Sequence, residues 1–166
     1  MRWLLALGLL LLACVEPLSV PGGPATLEEA AAARPEGKRR ASVHLVIEAT
    51  RELEAGRIER ARVSAERALR MDGRNAYAFY ALAWVGIASR DYAGARRDLE
   101  QAEVLLAAEQ PPQPRWQGKL LRVRSFLLER EGDPAGAAAL RERAMRLDPG
   151  GGMPGVPPGH AIDNAR

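Results

Sequence analysis

The sequence predicts an all-α fold built from three tandem helix-turn-helix hairpins, and composition and internal repetition support this prediction. Hydrophobic residues make up 47% of the 166 residues, whereas aromatic residues supply only 5%. Because β-sheets favour aromatic and β-branched side chains, this composition favours packed amphipathic helices. The length suits one modest domain with accessory segments and excludes a large multidomain enzyme.

A short pattern recurs three times and defines the hairpins. Residues 54–61 read Glu-Ala-Gly-Arg-Ile-Glu-Arg-Ala, and related stretches return at 89–95 and 130–137. Each copy follows about a dozen residues with apolar side chains at helical spacing. The predicted units are residues 42–75, 76–109 and 118–151, and a proline-rich stretch at 111–114 interrupts the period before the third.

Small residues recur at equivalent places in the three units, where two helices must approach closely. They are Ala49, Ala83 and Ser125 in the first helix, and Ala61, Ala95, Ala137, Ala68, Ala102 and Ala144 in the second. With the turn glycines Gly56 and Gly132, these positions resemble the tetratricopeptide-repeat (TPR) family. The resemblance implies a short right-handed solenoid whose concave surface, lined by the first helices, holds a peptide or helix of a partner protein. Arg90 departs from the family pattern because a turn glycine is expected there.

The first 13 residues have the pattern of a signal peptide: Met1-Arg2 followed by an apolar run from Trp3 to Ala13. This run is too short to span a bilayer core of ~30 Å as a stable helix. It ends in Leu-Leu-Ala-Cys at 11–14, which resembles the lipobox of bacterial lipoproteins and implies lipidation of Cys14, the only cysteine. The alternative is an ordinary secretory signal with an incidental cysteine.

The resemblance to lipoproteins also implies a location. In bacteria with two membranes, an Asp directly after the lipidated cysteine favours retention in the inner membrane, and this chain has Val15 there. The implied location is the outer membrane, with the protein anchored by lipid at Cys14 and facing the periplasm.

Two segments flank the predicted repeat domain. Residues 14–41 and 152–166 are rich in proline and glycine, and we expect a flexible N-terminal spacer and a disordered C-terminal tail. Within the spacer, Thr26 is followed three residues later by Glu29, which fits a capping box. A short helix is therefore predicted to run to about Arg34, before Pro35 stops it.

Helical spacing predicts which side chains line the concave groove. The groove of unit two has an aromatic and apolar stripe, flanked by smaller side chains in unit one and basic ones in unit three. The predicted groove residues are Tyr77, Tyr80, Trp84 and Ile87 in unit two, Val43, Val46 and Thr50 in unit one, and Lys119, Arg122 and Phe126 in unit three. The alternative is that Tyr80 and Trp84 pack against the spacer helix near Leu27 or against the second helix of their own unit.

Composition and motifs argue against catalysis and nucleic-acid binding. The 24 basic and 21 acidic residues leave a net charge of only +3, which is too balanced for a dedicated nucleic-acid binder. The only histidines are His44 and His160, and the sequence has no phosphate-loop pattern or paired metal ligands. We expect no catalytic residue, metal or cofactor.

The sequence thus predicts a lipid-anchored periplasmic adaptor or assembly factor that binds a protein partner. Repeat lipoproteins of this general design serve pilus or secretin assembly and other envelope complexes. The alternative is a structural subunit of an envelope complex that is either permanent or formed by self-association into a homo-oligomer.

Overall fold

The computed structural model describes residues 23–34, 36–109 and 112–151, which form seven α-helices and no strand. The all-α prediction is therefore confirmed for these residues. The signal peptide, Cys14 and the tail 152–166 lie outside the described residues. The helices are α1 (Leu27–Ala32), α2 (Lys38–Glu54), α3 (Ile58–Met71), α4 (Ala76–Ala88), α5 (Tyr92–Ala107), α6 (Pro114–Arg130) and α7 (Pro134–Leu147).

Neighbouring helices pack in pairs. The closest pairs are α2 with α3, α4 with α5, and α6 with α7, and further contacts join α3 to α4, α5 to α6, and α4 to both α2 and α6. The helix α4 is thus the central element, and its apolar residues are buried on almost every side. The first and third pairs begin at Lys38 and Pro114, four residues before the units predicted from the repeat.

The small residues of the repeat lie where the paired helices meet. All nine positions are at most 3% exposed: Ala49, Ala83, Ser125, Ala61, Ala95, Ala137, Ala68, Ala102 and Ala144. The two helices of the second pair approach closely at Gly86 on α4, where an added Cβ would lie 3.0 Å from the Cβ and the backbone nitrogen of Ala95. Larger side chains at these positions would force the helices apart.

The three hairpin turns share one backbone geometry. Gly56, Arg90 and Gly132 all have positive φ, at 72°, 64° and 86°. In each turn the following N–H donates to a carbonyl five residues back, as in Asp91 N–H to Gly86 O at 2.8 Å. This bond and the left-handed residue before it define a Schellman motif, which normally uses glycine. Arg90 therefore adopts a conformation that its Cβ disfavours.

We expect Arg90→Gly to stabilise the protein by about 0.5–1 kcal/mol, because relief of the left-handed strain exceeds the added entropy of the unfolded chain. Urea denaturation of the purified protein measures this change. The matched control is Gly132→Ala, where an added Cβ meets nothing within 4 Å, so only the φ of 86° opposes it. Gly132→Ala should destabilise the protein, and a loss of stability in Arg90→Gly would contradict the strain argument.

The helix α1 forms where the capping pattern predicts it. Thr26 Oγ1 accepts the N–H of Glu29 at 3.1 Å, and Glu29 Oε2 accepts the N–H of Ala25 at 2.6 Å. Ala30 and Ala31 are buried, and α1 packs against α2. Residues 23–34 are therefore part of the packed body, in contrast to the flexible spacer that the sequence predicts.

Within the described ranges, no helix is both long enough and apolar enough to cross a membrane.

Candidate binding groove

A groove of about 420 Å³ opens on the side of the first helices of the three hairpins. Its lining comes from α2, α4 and α6, together with the start of α1. The volume lies in the lower part of the range of about 300–1,000 Å³ that small-ligand clefts occupy. A cleft of this size accommodates a short stretch of extended chain rather than a whole helix.

Two aromatic rings stand at the base of the groove. Tyr80 on α4 and Trp116 on α6 are 5% and 3% exposed, and their ring centroids lie 5.4 Å apart in an edge-to-face arrangement. Trp116 also packs against Tyr77, with a centroid distance of 4.5 Å. Tyrosine is neutral at physiological pH, and burial raises the pKa of the Tyr80 hydroxyl further. The base is therefore rigid, uncharged and largely aromatic.

The rim of the groove carries charges of both signs. Arg51 and Glu54 come from α2, Glu28 from α1 and Lys119 from α6. The Lys119 ammonium lies 5.1 Å from the centroid of the Trp116 ring, within cation–π distance. The groove thus combines an aromatic base with a polar rim, which is the usual layout of a protein-binding surface.

The structure places three of the predicted groove residues in this groove: Thr50, Tyr80 and Lys119. Phe126 is only partly buried and packs against Trp84, with a centroid distance of 6.5 Å. The other apolar members of the predicted stripe belong to the hydrophobic core at 7% exposure or less: Val43, Val46, Tyr77, Trp84 and Ile87. None of these five lines the groove.

Arg122 is also placed differently from the prediction of a basic groove residue. Its Nη1 lies 2.6 Å from Asp148 Oδ2, its Nη2 donates to the Asp148 carbonyl, and the side chains are 10% and 9% exposed. This buried ion pair joins α6 to the end of α7. Arg122 therefore has a structural role, and its partner Asp148 lies in the Leu-Asp-Pro stretch at 147–149 that follows the repeated pattern of the third unit.

Several groove residues are not among those that the sequence predicts. Trp116 lies before residue 118, where the predicted third unit begins, and so falls outside the predicted repeat. Ile47, Arg51 and Glu54 lie on the same face of α2 as Thr50, at helical spacing, and Leu27 belongs to the spacer helix. The spacing of Trp116 three residues before Lys119 is the signal that could have placed it on the groove.

A polar network holds α1 beside the groove. Arg34, just after α1, lies 3.1 Å from Glu109 Oε1, and Glu109 Oε2 accepts a hydrogen bond from Gln113 Nε2 at 3.0 Å. The Tyr77 hydroxyl donates to Gln113 Oε1 at 2.8 Å, and burial raises its pKa. The Arg34 guanidinium also lies 5.2 Å from the centroid of the Tyr77 ring. Four side chains thus link the N-terminal segment to the connection between α5 and α6.

The part of the chain that the structure describes contains no group of three or more His, Cys, Asp or Glu side chains able to hold a metal ion.

Comparisons with protein-family models, curated proteins and solved structures find no match to this chain. The described residues themselves define its class: an all-α protein of paired helices with a small amphipathic groove on the side of the first helices.

Proposed function

We propose that this protein is a non-catalytic adaptor or assembly factor of the bacterial cell envelope, with TPR-like repeats that hold a segment of a partner protein. The observation that carries the proposal is the groove on the side of α2, α4 and α6. In the TPR family this side is the concave surface that takes partner peptides. Three stacked hairpins with repeated turns and repeated small residues support the assignment of the repeat type.

The lining of the groove supports binding of a protein segment. Tyr and Trp side chains provide large apolar contact areas and are enriched at the energetic centres of interfaces. Arg51, Glu54 and Lys119 around them are able to select register and orientation through charge. The bound segment would be extended, with a small apolar or proline side chain against Tyr80 and Trp116.

The location in the envelope is proposed from the N-terminal sequence. Leu-Leu-Ala-Cys at 11–14 supports cleavage before Cys14 and lipidation of its thiol, and Val15 supports transfer to the outer membrane, facing the periplasm. Several acyl chains give stable anchoring, at ~0.8 kcal/mol per buried CH₂. Pilus or secretin assembly is the partner system that we propose first.

Capture of partners from detergent-solubilised envelopes of the native host tests the groove. The test variant is Arg51→Glu with Lys119→Glu, which reverses the basic rim while leaving the aromatic base in place. The control is Arg67→Glu with Arg97→Glu, the same change in charge at exposed positions on α3 and α5. We expect the wild type and the control to capture the same partner. The groove variant should capture at least tenfold less of it.

Both variants are checked by circular dichroism before capture, so that misfolding is not read as loss of binding. Equal retention of every partner by the wild type, control and groove variant would contradict a role for the groove.

We expect Cys14→Ser to abolish incorporation of radiolabelled palmitate and to release the protein from the membrane fraction, because the thiol is the proposed acylation site. Membrane fractionation of cells that produce the wild type and the variant measures both effects. Two results together would refute the lipid anchor: no palmitate label on the wild type, and equal amounts of wild type and variant in the membrane fraction.

A further inference from the structure

We propose that the groove binds the protein's own C-terminal tail, residues 152–166, and that partner segments compete with this tail. The inference rests on the proposed function, since it names a regulator of the same groove. It draws on where the chain leaves the folded body and on the chemistry of the tail and the groove.

The chain leaves the folded body beside the α6 wall of the groove. An added Cβ at Gly118 on α6 would lie 2.8 Å from the Cβ of Asp148, so this part of α6 touches the end of α7. Lys119, which lines the groove, directly follows Gly118, whereas Trp116 lies on the opposite side of α6 and faces α4. Gly151, the last described residue, is packed against the Arg122 guanidinium and the Asp148 carboxylate.

The base of the groove is close to the same point. The Tyr80 ring lies 5.4 Å from the ring of Trp116, which is on α6 two residues before Gly118. Extended chain covers up to ~3.3–3.6 Å per residue, so five or six residues after Gly151 reach about 17–20 Å. The proline-rich part of the tail is therefore within reach of Tyr80 and Trp116.

The tail has the chemistry that this groove suits. Residues 153–158 read Met-Pro-Gly-Val-Pro-Pro, an uncharged stretch with three prolines. Proline-rich segments favour the polyproline II conformation, so little conformational entropy is lost when they bind, and they dock into grooves lined by aromatic side chains. Tyr80 and Trp116, at 5% and 3% exposure, present a small part of their rings at the base of the groove, and Leu27 and Ile47 lie beside them.

The covalent connection favours the tail over a free peptide of equal affinity. A short flexible linker gives a tethered segment an effective concentration in the millimolar range. A partner must exceed this concentration or bind more tightly in order to displace the tail. The groove would then open only to partners that are abundant locally or that match it better, and the tail would suppress weak binding.

Disulfide trapping in a purified chain that begins at position 14 tests the proposal. In a Cys14→Ser background, which removes the only cysteine, one cysteine is placed in the tail as Gly159→Cys and a second on the groove rim as Lys119→Cys. The control pairs Gly159→Cys with Met145→Cys, which is 57% exposed on α7 and closer along the chain to the point where the tail begins. The equilibrium with glutathione gives the effective concentration of each pair.

We expect an effective concentration at least tenfold higher for the Lys119→Cys pair than for the Met145→Cys pair. Adding Pro157→Gly and Pro158→Gly should remove this preference if the prolines make the contact. Equal values for the two pairs, or a higher value at Met145→Cys, would overturn the proposal. A pairing of Lys119→Cys with Val20→Cys that exceeds the tail pair would also overturn it and assign the groove to the N-terminal segment.

The outcomes separate this inference from the proposed function. Loss of partner capture in the groove variant without a trapping preference would refute tail binding alone. A trapping preference with unchanged partner capture would refute the adaptor function and leave the groove as a site for the tail.

Discussion

Asp148→Ala is expected to destabilise the protein by about 3–5 kcal/mol, because it leaves the Arg122 guanidinium buried without its carboxylate. The ion pair has an Nη1–Oδ2 distance of 2.6 Å and side chains that are 10% and 9% exposed, so water cannot readily replace the lost partner. Since α7 is the last described helix and this pair joins its end to α6, the loss should weaken the third hairpin first.

Chemical denaturation of Asp148→Ala measures this loss, and the double variant Arg122→Met with Asp148→Ala is the control. Replacing both members of a buried pair by apolar groups is often close to neutral, so we expect the double variant to lose less than about 2 kcal/mol. A double variant as unstable as Asp148→Ala would show that packing, rather than the unpaired charge, accounts for the effect.

Trp116→Ala is expected to cost about 3–5 kcal/mol, because it deletes a large buried side chain at the base of the groove. The ring is 3% exposed and lies 4.5 Å from Tyr77 and 5.4 Å from Tyr80 between centroids. Its removal leaves a cavity between α4 and α6, which touch each other less extensively than the paired helices do. Thermal unfolding followed by circular dichroism measures the loss.

Trp116→Phe distinguishes the contribution of ring packing to stability from the contribution of the indole N–H group. The indole nitrogen is buried without a hydrogen-bond partner, and such a group is a net cost of about 1–3 kcal/mol. We therefore expect Trp116→Phe to lose less than half of what Trp116→Ala loses, since the smaller ring keeps part of the packing and removes the unpaired donor. A loss equal to that of Trp116→Ala would contradict this account.

Local features of the fold were predictable from the sequence because they depend on neighbouring residues. The capping pattern at Thr26 placed α1, and the repeated small residues marked the contacts between paired helices. The turn at Arg90 was recognised by its position in the repeat, although its side chain is unsuited to a positive φ. These signals depend on backbone sterics and hydrogen bonds within a few residues of one another.

The groove was only partly predictable, because the lining depends on which helices meet around each face. Helical spacing puts Tyr77, Tyr80 and Trp84 on one stripe, yet only Tyr80 lines the groove, since α4 is apolar all round and is enclosed by its neighbours. A helix of this kind carries no polar face to mark the solvent side. The identity of the exposed stripe is therefore decided by tertiary contacts.

The buried position of Arg122 and the packing of α1 were also not predictable from the sequence, because they depend on polar and tertiary contacts with distant residues. An arginine on a helix predicts an exposed charge until its partner is known, and Asp148 lies 26 residues further along the chain. The proline- and glycine-rich composition around α1 predicts a flexible spacer, whereas contacts of Ala30 and Ala31 with α2, and of Arg34 with Glu109, hold it in place.

If Cys14 carries the lipid that we propose, the packed α1 also limits the distance between the groove and the membrane. With the proposed lipid on Cys14, eight residues, 15–22, lie between the anchor and Gly23, the first residue that the structure describes. At ~3.3–3.6 Å per residue, residues 15–22 extend over no more than about 30 Å. If the chain were unfolded as far as Lys38, the maximum distance would be more than twice as large. On this anchor the groove would stay close to the periplasmic surface of the outer membrane. A partner would have to bring its binding segment to that region.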